Sequence, residues 1–203
     1  MTDARPGRLI LASTSPYRRE LLSRLRLPFE AIAPDYREEA PVGLSPAEAA
    51  RRHALGKARA VAARHPGAWV IGSDQVAQMA GRESERLGKP GGFEAARDQL
   101  RRLSGRAVDF LTGVALLQEG RERSHVEVFR VVFRELSDAD IETYLNAERP
   151  WDCAGSFKSE GLGICLLDRM EGRDPTALVG LPLITLCDWL APLSRPDFGG
   201  NLA

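Results

Sequence analysis

The sequence predicts a mixed α/β fold, a sheet with flanking helices. Short apolar runs of strand type alternate with amphipathic helical stretches in the first half. Two strand-like runs follow one another directly in the second half. Several helix starts are spelled out by a capping residue followed by proline or an acid. Strands that first alternate with helices and then pair fit a mixed sheet better than a purely doubly wound one. The 203 residues suffice for one domain, or for two small lobes sharing a groove. We read one domain over 1–203, with its core at about 9–190.

Leu9-Ile10-Leu11-Ala12 is a continuous apolar run, as expected of a strand covered on both faces. It leads straight into a helix. Ser15 is a good N-cap, and Pro16 suits the first helical position because its missing N–H would be unpaired there anyway. Leu21, Leu22 and Leu25 then recur at helical spacing. Arg18 and Arg19 lie in the first turn, where the helix dipole is already positive. Two arginines beside free N–H groups and the hydroxyls of Ser13, Thr14 and Ser15 suit a bound anion. A solvated helix start, with Glu20 offsetting part of the charge, is the plainer alternative.

Residues 29–33 form a second strand, and 34–43 an acidic loop with Asp35, Glu38 and Glu39. Ser45-Pro46-Ala47-Glu48 spells a capping box, and the helix runs to about Arg64 with Ala50, Ala54, Leu55, Ala58, Val61 and Ala62 as its apolar stripe. Trp69-Val70-Ile71-Gly72 is the next strand. It delivers Ser73 and Asp74 at its carboxyl end, where α/β folds place their chemistry. Residues 79–87 are a polar hairpin loop. A helix over 93–103 follows, with Gly105 as its C-terminal cap. Strands over 108–117 and 126–133 flank a turn-rich connection at 118–124. Ser137 opens a short helix through Asn146, which Glu148-Arg149-Pro150 stops. Residues 161–167 read as another strand, 181–190 as a final apolar helix, and 192–203 as a mobile tail.

Composition excludes several classes. The 28 basic and 28 acidic residues cancel, and no basic stripe marks a nucleic-acid partner. The apolar runs are too short to span a membrane. Residues 1–8 lack an apolar signal core, which points to the cytoplasm. Cys153, Cys165 and Cys187 form no Cys-x-x-Cys pair, so neither a zinc site nor a disulfide framework is expected. His53, His65 and His125 have no ligand spacing and read as ordinary histidines.

The string Leu-Ala-Ser-x-Ser-Pro followed by Arg18-Arg19-Glu20-Leu21-Leu22 resembles the signature of the Maf family of nucleoside triphosphate pyrophosphatases. The resemblance extends through Gly72-Ser73-Asp74-Gln75, Gly88-Lys89-Pro90, Cys153-Ala154-Gly155-Ser156-Phe157-Lys158-Ser159-Glu160-Gly161 and Val179-Gly180-Leu181-Pro182. Each motif alone is weak, but five in order over nearly the whole chain are specific. The resemblance implies the Maf fold, two lobes around a deep nucleotide-binding groove. It also implies hydrolysis of a nucleoside triphosphate between its α and β phosphates, a magnesium or manganese cofactor, and a homodimer. The family is also linked to septum formation and division arrest, so a non-catalytic nucleotide-binding regulator is an alternative.

Such chemistry needs phosphate charge neutralised, a divalent metal held and a water deprotonated. Ser13, Arg18, Lys57 and Lys89 can serve the phosphates. Asp74 falls on the family's catalytic aspartate and is the candidate general base; an Asp that merely caps a strand end is the alternative. Neighbouring Gly72 would let a ligand approach the backbone. Lys57 matches the family's Lys-Ala helix position, although local sequence alone favours a solvated lysine. Lys89 sits in a rigid Gly-Lys-Pro turn and loses less freedom on binding than a lysine on a loose loop. Glu38 aligns with the family's acidic loop residue and, with Asp74, is the candidate metal ligand. Arg37 stands where the family has a second acid, and Glu39 follows.

Tyr17, Gln75 and Glu160 fall on the family's base-selecting positions. The branch acting on dTTP and UTP carries arginine, threonine and glutamine there; the branch acting on 7-methyl-GTP carries an aromatic, a glutamine and a glutamate. This chain resembles the second. A 7-methylated guanine is a cation, which an aromatic face attracts and an arginine repels. Glu160 can accept hydrogen bonds from guanine N–H groups while complementing that charge. Packing of Tyr17 on a neighbour, and pairing of Glu160 with Lys158, are the plainer alternatives.

Overall fold

The computed structural model describes residues 7–39, 43–82, 85–191 and 193. The expected tail over 192–203 lies outside them, apart from Leu193. Seven strands form one mixed sheet: β1 (Leu9–Ala12), β2 (Phe29–Ile32), β3 (Trp69–Met79), β4 (Arg86–Leu87), β5 (Ala107–Gln118), β6 (Arg121–Phe133) and β7 (Leu167–Glu171). Their order is β2-β1-β3-β5-β6-β7, with β4 on the free side of β3. β1 is parallel to β2 and β3; the remaining pairs are antiparallel. The helices are α1 (Pro16–Ser23), α2 (Pro46–Ala62), α3 (Phe93–Leu103), α4 (Asp138–Glu148), α5 (Pro175–Val179) and α6 (Leu183–Leu190). Among the described residues no helix is long and apolar enough to cross a membrane.

The helix starts form as their sequences direct. Ser15 accepts the Arg18 N–H, and Ser45 and Glu48 close a capping box ahead of Pro46. Apolar cores gather at both ends of the long β3–β5 pair. At one end Leu9, Leu11, Ile71 and Val114 pack on α1 and α6, while Ile10, Val70 and Ala115 pack on α2. At the other end Met79, Phe110 and Phe133 pack with Leu100 and Leu103 of α3 and with Ile141 and Leu145 of α4.

α2 lies unusually close to the sheet. A methyl group on Gly72 would overlap the Ala54 carbonyl, and one on Gly113 would overlap the Ala50 carbonyl. Gly72 therefore serves helix packing rather than the approach of a ligand, which corrects the expectation from sequence. The alanines of α2 are part of the same device: Ala50, Ala54 and Ala58 are fully buried against the strands.

Four other expectations change. The strand beginning at Trp69 does not end at Gly72 but runs to Met79, so Asp74 is mid-strand. β5 supplies a continuous ladder there, from Val70↔Leu117 to Met79↔Val108, which holds the polar residues extended. The carboxyl end that matters is that of β1, whose last pair is Ala12↔Gly72. The connection at 118–124 shrinks to a tight turn at Glu119 and Gly120, both with positive φ, and β6 starts at Arg121. Its first residues face solvent, so their polarity does not oppose a strand. The strand expected over 161–167 is displaced: Leu162–Leu166 is a 3₁₀ turn, and the strand runs over Leu167–Glu171. Gly161 and Gly163 let that turn press on the Glu148 carboxylate and the Lys158 backbone, a tertiary contact that no local pattern encodes. Finally, α5 is an additional short helix, capped by fully buried Asp174 and started by Pro175.

Gly72→Ala is expected to destabilise the protein by about 1–3 kcal/mol or more, as overpacking against backbone does. A urea melt reads this. An unchanged midpoint would mean that α2 can move away from β3 freely.

Candidate functional site

β1 covers one edge of β3 as far as Gly72, and β4 covers it from Ala77. Between them, residues 73–76 have no strand partner on that side among the described residues. A cavity of about 590 Å³ opens at this break, the size of a small-molecule site. It collects the phosphate candidates Ser13, Arg18, Lys57 and Lys89, the acids Glu38 and Asp74, and Tyr17, Gln75 and Glu160, whereas Arg19 of the expected anion site is exposed and lies outside its lining.

Gly72 and Asp74 are two apart on a strand and share the face that α2 covers. The close seat of α2 therefore brings Lys57 to Asp74. Lys57 Nζ donates to Asp74 Oδ1 at 2.6 Å, with both side chains nearly buried. Glu38 Oε1 lies 2.6 Å from the same nitrogen. The loop that brings Glu38 is pinned on α2 by Tyr36. Its hydroxyl is 3.0 Å from His53 Nδ1, and its ring fills the space that a side chain on Gly56 would need. Burial pushes the Glu38 carboxyl up, but the Lys57 hydrogen bond and the charges of Lys57, His53 and Arg18 outweigh this and leave it below its ordinary value. Glu39 turns instead towards Arg52, 3.8 Å away.

The first turn of α1 sends two adjacent side chains to different surroundings. Arg18 is half-buried, and its Nε donates to the Gly180 carbonyl at 2.9 Å. Burial lowers the Arg18 pKa, and Asp74 and Glu38 oppose that shift. Ser13 Oγ accepts the Ser15 N–H. Tyr17 instead meets Cys153, whose Sγ is 3.9 Å from its hydroxyl. Burial raises the Tyr17 pKa, assisted by Cys153, Asp152 and Glu160. The cavity thus has an end where Arg18 and Lys57 meet Glu38 and Asp74, and an end where Tyr17 meets Asp152 and Glu160.

Lys89 lines the cavity from a turn fastened at Gly88, whose carbonyl accepts from Gly155 N and Gln99 Nε2, both at 3.3 Å. Gln75, expected at a base-selecting position, lines the cavity but turns its amide N–H groups away from it. Its Nε2 donates to the Ala177 and Leu178 carbonyls at 3.0 Å, and to Thr112 Oγ1 at 2.9 Å, which spends its donors on α5. Glu160 accepts from Ser159 Oγ at 2.7 Å. Lys158 pairs with Glu148 at 2.8 Å and not with Glu160.

Sequence reading missed Asp152, Phe110 and Leu178 as lining residues. Asp152 directly precedes the Cys-Ala-Gly-Ser motif, and that adjacency was the available signal. Phe110 and Leu178 come from a strand and a helix whose route past the cavity only the fold sets. Among the described residues no group of three or more His, Cys, Asp or Glu side chains is placed to hold a metal. Glu38 and Asp74 nevertheless lie side by side at the cavity wall, each 2.6 Å from Lys57 Nζ. Two carboxylates fit a magnesium-type ion held largely by substrate phosphates, and do not fit an all-protein cage.

Fold and cavity together define an α/β protein with a polar, ligand-sized pocket at a break in its sheet. The chain belongs to the Maf family: the family described as Maf-like protein matches residues 8–193. A relative from Bordetella pertussis, named 7-methyl-GTP pyrophosphatase, is 57% identical over 98% of both chains. Relatives of the same name from Albidiferax ferrireducens and Pseudomonas aeruginosa are 53% and 55% identical, over 92% and 90% of this chain and 94% of each relative. Among solved structures, the Staphylococcus aureus Ham1 protein aligns with a TM-score of 0.44 at 18% identity, over 64% of this chain and 72% of its own.

Burial and the neighbouring Asp152 raise the Cys153 thiol to about 11. Its alkylation by iodoacetamide should therefore climb about tenfold per pH unit until that range, with exposed Cys165 reacting first. Peptide mapping against pH reads this, and a plateau of Cys153 labelling near pH 9 would contradict the environment described.

Proposed function

We propose that this chain hydrolyses 7-methyl-GTP between its α and β phosphates, giving 7-methyl-GMP and pyrophosphate. The observation that carries the reading is the difference between the two ends of the cavity. At one end Arg18 and Lys57 offer cations beside the carboxylates of Glu38 and Asp74, a set that can hold phosphates and a metal. At the other Tyr17, Asp152 and Glu160 gather, with no cation within 4.0 Å of either carboxylate among the described residues. A polyphosphate suits the first end. A cationic purine suits the second, through a cation–π contact with Tyr17 worth about 0.5–2 kcal/mol and charge-assisted hydrogen bonds to Glu160. The relatives named 7-methyl-GTP pyrophosphatase support the same substrate.

In this reading Arg18, Lys57, Lys89 and the Ser13 hydroxyl receive the phosphates. Asp74 takes a proton from the water that attacks the α-phosphorus, and pyrophosphate leaves. Lys57 fixes the Asp74 carboxylate through Oδ1 and partly cancels its charge, so a polyanion can approach. Glu38 and Asp74 would hold a divalent magnesium or manganese ion, which supplies further neutralisation of phosphate charge. Gln75 contributes through α5: it anchors the helix end whose Leu178 and Val179 line the cavity.

A panel of 7-methyl-GTP, GTP, dTTP and UTP, with magnesium or manganese and pyrophosphate as readout, tests this. 7-methyl-GTP should be the preferred substrate. Asp74→Asn should lower kcat by about 10²–10⁴, the usual share of a general base. Tyr17→Arg and Glu160→Gln should each erode the preference for the methylated base. A preference for dTTP or UTP would overturn the base-end assignment while keeping the phosphate chemistry. Binding without turnover of any nucleotide would establish a regulator instead.

A further inference from the structure

Lys158 is a lysine on the wall of the end that receives a cationic base in the reading above. Left beside Glu160, it would neutralise that carboxylate and repel the ligand. Three contacts prevent this. Its backbone N–H donates to Tyr144 Oη at 3.1 Å, and its Nζ donates to Glu148 Oε1 at 2.8 Å. The other oxygen of Glu148 accepts the Leu162 N–H at 2.8 Å, on the far side of Glu160 in the chain. Between these anchors, Gly161 sits so close that any side chain there would overlap the Glu148 carboxylate. Tyr144 and Glu148 stand one turn apart on α4 and so share the face that meets this loop. The Glu148 carboxylate is mostly buried, whereas Glu160 is exposed.

We infer that Glu148 is a positioning residue for base selection: by drawing Lys158 to itself and fastening the 158–162 loop, it keeps Glu160 free to meet a cationic base. The inference rests on the assignment of a methylated purine to this end of the cavity and adds to it a residue that does not touch the substrate. The Lys158 hydrogen bond and the Leu162 N–H both hold Glu148 below its ordinary pKa, so the carboxylate that does this is ionised at neutral pH.

The test uses the full chain and compares kcat/KM for 7-methyl-GTP and for GTP. Glu148→Gln keeps an acceptor for the Leu162 N–H but releases Lys158. The ratio of the two substrates should fall about tenfold, or 1.4 kcal/mol, chiefly through KM for the methylated nucleotide. Adding Lys158→Met to Glu148→Gln should restore most of the ratio, because no misplaced cation remains. A purely structural role would lower both substrates together, with a shifted urea midpoint and no rescue. An unchanged ratio in Glu148→Gln, or a fallen ratio that Lys158→Met does not restore, overturns the inference while a wild-type preference leaves the substrate assignment standing. A wild-type enzyme that prefers GTP or a pyrimidine nucleotide overturns both. Should Glu148→Gln fail to fold, Glu148→Asp decides: its shorter carboxylate holds Lys158 less well, so a ratio lowered threefold or more at an unchanged kcat/KM for GTP supports the inference, and an unchanged ratio overturns it.

Discussion

The site depends on how closely α2 approaches the sheet. Helix carbonyls at Ala50 and Ala54 occupy the space that side chains on Gly113 and Gly72 would fill. Gly113 stands directly opposite Asp74 on the neighbouring strand. The helix is therefore lowered onto the sheet beside Asp74, and Lys57 reaches the carboxylate at 2.6 Å. A helix held at the usual distance by larger residues would leave a buried aspartate without a partner, an expensive arrangement. The same helix seats Tyr36 over Gly56, and through that loop Glu38. Two positions without side chains thus set the spacing of a three-member ion cluster.

The cavity itself is a gap in strand pairing. β1 is only four residues long and stops at Gly72, so the next stretch of β3 offers its edge to the pocket. An unpaired edge invites association with other strands. Here it is enclosed by α1, the 33–39 loop and the 152–160 segment, whose residues complete the lining. The first turn of α1 then sorts the charge, with Arg18 drawn inward to Gly180 and Tyr17 towards Cys153.

The far wall is held by polar contacts rather than by apolar packing alone. The Gly180 carbonyl accepts from both Arg18 and Ser73, and the Ala177 carbonyl from Gln75 and Thr112. Buried Asp174 accepts from Thr176 at one oxygen and from the Ile184 N–H at the other, linking the short α5 to the start of α6. Directional bonds of this kind fix a five-residue helix that could not persist alone.

By itself the sequence determined where the local elements start. Ser15-Pro16, the Ser45–Glu48 capping box and the apolar stripe of α2 act within a few residues, and their structures follow from that. It also determined, through motifs kept in order, which residues meet in one cavity. Tertiary structure alone decided the rest. The role of Gly72 became packing because the atom it makes room for belongs to a helix more than a dozen residues away. The polar run at Ser73–Gln75 stayed in a strand because β5 supplied the missing ladder. Residues 162–166 became a turn that Glu148 anchors through the Leu162 N–H. Gln75 turned from the ligand side to carbonyls about a hundred residues along the chain, and Lys158 to Glu148 on the preceding helix. In every such case the deciding contact is distant in sequence, and local propensity, worth a few tenths of a kcal/mol to about 1 kcal/mol per residue, yields to it.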